Sequence, residues 1–140
     1  MRKIFFSITI IALLSSCKAS FYQYYYVVDF KSYHEQGFFI TESNSVNFEY
    51  NPVGSVSVLA GGFVESIPRK NKEEYGNSPK YELSKGGGKF LLTTDGAMSI
   101  FVDKCKELNA DGVINFVIVT MIDKNDIPSH RLSGMAIKRK

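Results

Sequence analysis

The chain has 140 residues, 44% of them apolar, which suits one globular domain of about 100–150 residues. Its formal charge is +3, and loss of Arg2 and Lys3 with the N-terminal segment leaves +1. That balance excludes the clustered basic face of a nucleic-acid binder, and two cysteines and two histidines give little material for a zinc site or a catalytic constellation.

Met1-Arg2-Lys3 is a basic start and Ile4–Leu14 an apolar run, the order of a secretory signal. The run is shorter than the roughly 20 residues that a membrane span needs. Leu14-Ser15-Ser16-Cys17 then resembles a bacterial lipobox: an aliphatic residue, two small residues and a cysteine. Residues 1–16 are therefore expected to be a lipoprotein signal peptide, with Cys17 acylated as the mature N-terminus. The competing reading is an ordinary secretory signal or short anchor with an incidental cysteine. Several acyl chains would anchor the protein stably, since each buried CH₂ contributes about 0.8 kcal/mol. Lys18, and no Asp, follows Cys17, which points to the outer membrane of a bacterial envelope.

Residues 17–37 read as the lipidated cysteine and an aromatic arm. Phe21–Phe30 is dense in tyrosine and β-branched residues. It suits a strand packed on the protein, tyrosines at a membrane interface, or a strand paired with another subunit. Lys31–Gln36 reads as a turn or short helix, and Phe38–Thr41 as a short strand. Val46–Tyr50 alternates as a half-buried strand that Asn51-Pro52 stops. Ser55–Ala60 is another strand. Gly61-Gly62 suggests a bulge or a close backbone approach, and Phe63–Ser66 continues the run. Pro68–Lys89 is charged and turn-rich, a surface excursion with a short strand at Lys80–Leu83. Gly86-Gly87-Gly88 leads into Phe90-Leu91-Leu92 and not into a helix bearing Lys-Ser/Thr, so it is no phosphate loop. Phe90–Thr93 reads as a strand or lead-in.

The last third is the clearest. Met98, Phe101, Val102, Cys105 and Leu108 form an apolar stripe at helical spacing, which predicts a helix over Asp95–Asn109. Thr94 and Asp95 are both competent N-caps, and Asn109 can take the left-handed conformation that ends helices. Gly112 adds a second permissive position. Val113–Met121 is apolar on both alternating faces, which predicts a central strand covered on two sides. Asp123-Lys124-Asn125-Asp126 is turn chemistry. Pro128 belongs at a strand start or edge, and Ser129–Arg139 closes a hairpin.

The text LNADGVINFVI … SGMAIKRK resembles the C-terminal signature of the YbjQ-like family, which carries a heavy-metal-binding label. RcsF-like envelope lipoproteins are similar at greater distance. In that signature Asn109 stands where the family usually has Gly, and Gly112 where it has Ala. Asn109, Asp111, Gly112 and Gly134 are the signature positions, and they look like packing and turn residues. The resemblance implies one α+β domain over residues 38–140. It has a mixed, mostly antiparallel sheet on one main helix, and ends in a helix–strand–hairpin. It also implies ring-forming oligomers.

His34, Cys105 and His130 are the candidate metal ligands, without the paired spacing that zinc sites normally have. Cys105, the one thiol left once Cys17 is lipidated, reads as a small core residue. The hairpin turn accounts for Asp123, Asn125 and Asp126. The Lys138-Arg139-Lys140 tail reads as solvated charge. The expected function is a lipid-anchored envelope protein acting as a non-enzymatic binding or self-assembly module. It would have no cofactor and no nucleic acid, and its partners would be the membrane, copies of itself and an envelope protein. The alternative is a metal- or small-ligand-binding sensor of envelope stress.

Overall fold

Thr93 opens the main helix: its Oγ1 accepts a hydrogen bond from the Gly96 amide at 3.1 Å, satisfying one of the orphan donors of the first turn. The cap is thus one residue before the pair expected from sequence. Thr94 and Asp95 fall in the first turn, where the Asp95 carboxylate meets the positive end of the helix dipole. The structure is a computed structural model, and it describes residues 27–64, 80–83, 89–123, 125 and 127–140. The signal peptide, Cys17, the aromatic residues up to Tyr26, most of the excursion after Pro68, the Gly86-Gly87-Gly88 run and Asp126 lie outside the described residues.

In chain order the elements are α1 (Lys31–Glu35), β1 (Phe39–Ile40), β2 (Tyr50–Gly61), β3 (Phe63–Val64), β4 (Tyr81–Leu83), β5 (Phe90–Leu92), α2 (Thr94–Glu107), β6 (Gly112–Ile122) and β7 (Pro128–Arg139). Four strands form a sheet in the order β1-β6-β7-β2, with β1 parallel to β6 and the other pairs antiparallel. A smaller sheet has the order β3-β5-β4. This is the single α+β domain expected, a mixed and mostly antiparallel sheet with one main helix.

Helix α2 buries Ala97, Met98, Phe101, Val102 and Cys105, spaced to lie on one face. They pack with Val56, Val113, Phe116, Leu132 and Ala136 of the sheet. The rings of Phe101 and Phe116 stand 5.4 Å apart. Leu108, expected to be the last residue of this stripe, is instead 49% exposed. The helix ends at Glu107, and Asn109 turns left-handed with φ 62°, as expected, so Leu108 leaves the helical phase.

Val28, Phe30 and Tyr33 of the N-terminal arm pack against this core. Phe30 meets Phe116 edge-on at 5.7 Å. Burial raises the Tyr33 phenol above its ordinary pKa, and Asp95 and Asp103 add to the rise.

Strand β2 corrects another expectation. Val46, Phe48 and Tyr50 do alternate in burial, but strand pairing begins only at Tyr50. Pro52 does not stop the strand. It pairs with Ile137 on a sheet edge, where a missing amide is tolerated, and the register shifts between Pro52 and Gly54. At the other end, a Cβ on Gly61 would lie 2.5 Å from Ser129 Cα, and Gly62 has φ +92°. The close approach expected at Gly61-Gly62 is therefore real. It is also where the chain leaves the large sheet for the small one, so Phe63–Val64 does not prolong β2.

The hairpin behaves as its residues dictate. Asp123 Oδ1 accepts from the amides of Asn125 at 2.7 Å and Ile127 at 2.9 Å, and Pro128 begins β7.

Candidate interaction surface

The three residues weighed as metal ligands are not brought together as a site. Among the described residues no group of three or more His, Cys, Asp or Glu is placed to hold a metal. His34 belongs to α1. Its Nε2 lies 3.0 Å from the Ile40 carbonyl oxygen and 3.1 Å from the Ile40 amide nitrogen, and its ring stacks on Phe39 at 5.3 Å. It holds the outer edge of β1. Cys105 is fully buried on α2, and burial pushes its thiol up to about 11. His130 is buried in β7, with Nδ1 3.0 Å from Thr120 Oγ1.

The signature positions are structural. Asp111 Oδ1 accepts from the Arg139 amide at 2.9 Å, and its carboxylate faces Lys138 at 3.4 Å and Arg139 Nε at 3.6 Å. Burial opposes ionisation, but these donors and charges together hold the Asp111 carboxyl below its usual range. Gly112 is needed for a close approach: a Cβ there would meet the Phe39 Cβ and carbonyl at 3.1 Å. Gly134 leaves room for Val113, whose Cγ1 would be 2.5 Å from an added Cβ.

The surface that remains is made by β6, β7 and β2 on the face away from α2. Asn115, with φ 52°, sits in a bulge between Ile114 and Val117. Phe116 is buried in the core below it. Beyond the bulge, β6 was expected to be covered on both sides, and it is not. Val117 and Val119 are 47% and 48% exposed, and Met121 is exposed too. The reason is the length of the neighbouring cover. Strand β1 pairs with β6 only at Gly112 and Val113, and Phe39 and Phe48, in edge-on contact at 5.1 Å, lie at that end.

Register assembles an apolar patch from this gap. Val119 and Leu59 flank Arg131 across three strands, and Val117 and Ser57 flank Ser133. Met121 lies one row on, and Met135 at the opposite end of the patch. Leu59 is 63% exposed. Sequence reasoning covers Val117, Val119 and Met121 because β6 is apolar on both alternating faces. The signal that could have found them is in β7, where Ser129, Arg131 and Ser133 alternate with His130 and Leu132: one face of that strand is polar.

Around the β2 edge the patch gives way to a groove on the helix side. The groove has a volume of ≈ 490 Å³ and is lined by Ser55–Val58 of β2 and by Ile100, Lys104, Glu107 and Leu108. Lys104 Nζ lies 2.8 Å from both Glu107 carboxylate oxygens. No described helix is long and apolar enough to cross a membrane.

No family model matches the chain. No curated protein matches it either. Among solved structures it is similar to a crystal structure of a protein of unknown function from Pediococcus pentosaceus, assigned to the DUF74 family. The identity is 17% and the TM-score 0.49, over 75% of this chain and 100% of that one.

Proposed function

We propose that the protein is a lipid-anchored bacterial envelope protein whose domain works by non-enzymatic contact, as a self-assembly module. The observation that carries this reading is the exposed run Val117, Val119 and Met121 along β6, with Leu59 and Met135 exposed on the same face of the sheet. The same fold buries Phe101, Phe116 and Leu132 almost entirely, and among the described residues it leaves Val117, Val119 and Met121 open. Val117, Val119 and Met121 are neighbours on one face of β6, and clustered exposed apolar surface of this kind marks contact sites. Arg131 at its centre gives the face a polar anchor, a residue type enriched at protein interfaces. The address is supported by Leu14-Ser15-Ser16-Cys17 after a basic and apolar start. Acylation would hold many copies on one membrane surface, and their effective concentration would favour weak self-contacts.

The test uses the full chain expressed in a bacterium. The wild-type protein should sediment with membranes and give crosslinked species at multiples of its own mass. Cys17→Ser should move it to the soluble fraction. Tight membrane association of Cys17→Ser would refute the lipid anchor. Crosslinks solely to unrelated proteins would refute self-assembly.

A further inference from the structure

We draw no further inference here: the strongest candidate, the groove between the β2 edge and α2 lined by Val56, Val58, Ile100 and Leu108, carries nothing, because nothing in the structure shows what covers it and its charged residues, Lys104 and Glu107, already pair with each other at 2.8 Å within α2.

Discussion

His34 Nε2 sits within hydrogen-bonding distance of both main-chain groups of Ile40, 3.0 Å from the oxygen and 3.1 Å from the nitrogen. One imidazole nitrogen satisfies one of the two at a time, donating or accepting according to tautomer. Either way the histidine takes the place that a fifth strand would occupy beside β1. Its ring lies flat on Phe39, with an interplanar angle of 10°. His34→Ala should therefore lower stability by about 1 kcal/mol, the net value of one such hydrogen bond, in urea unfolding. It should also leave β1 open to pairing and shift the protein toward larger assemblies. An unchanged midpoint would mean that the contact is incidental.

Asp111 ties the turn after α2 to the end of β7. Its amide donates to Ile137 O at 3.0 Å and its carboxylate accepts from the Arg139 amide. Because its folded-state pKa is depressed, its contribution is fully present above the unfolded value of about 3.9. It is lost as pH falls through the lower folded value. Asp111→Asn should cost stability at pH 7 and cost progressively less as pH falls through that window. A pH-independent difference in unfolding free energy would contradict the electrostatic account.

Gly134 tests packing where β7 lies against β6. A methyl there would press on Val113, which is fully buried, so the neighbour has little space to yield. Gly134→Ala should destabilise by about 1–3 kcal/mol, the usual cost of overpacking. Gly54→Ala is the control, because nothing lies within 4 Å of its added Cβ. Equal losses at the two positions would show that backbone conformation, and not space, sets the cost.

Cys105 should be slow to react. Its thiol is buried and held at about 11, so near neutral pH the thiolate is scarce and shielded. A thiol reagent should label it at the rate of unfolding in native buffer and quickly in urea. Rapid native labelling would show that α2 opens locally.

These residues also show how far sequence carries. The phase of α2 is legible from Met98, Phe101, Val102 and Cys105, because tight burial leaves a period that chance rarely imitates. Asn109 is legible from backbone chemistry, and Asp123 from its competence to accept two amides. The cap at Thr93 escapes a sequence reading because three adjacent residues, Thr93 to Asp95, offer side-chain oxygens, and register alone decides which one meets a free amide. Pro52 reads as a stop because a one-dimensional pattern does not reveal that its amide side faces no partner strand. The exposed row on β6 is hidden for a related reason. Apolar residues on both faces of a strand imply cover, but the cover depends on how far β1 and Phe48 reach, which is a property of tertiary placement. His34 is a candidate ligand in the sequence, and its role at Ile40 depends on the turn of α1 that returns it to the sheet.

The most direct test of the central claim is the mass of the intact, full-length protein released from membranes in mild detergent. Self-assembly through an open sheet surface predicts a defined oligomer. A protein that stays a single chain as its concentration rises from about 1 µM to 1 mM, the span of moderate to weak affinities, would contradict the account.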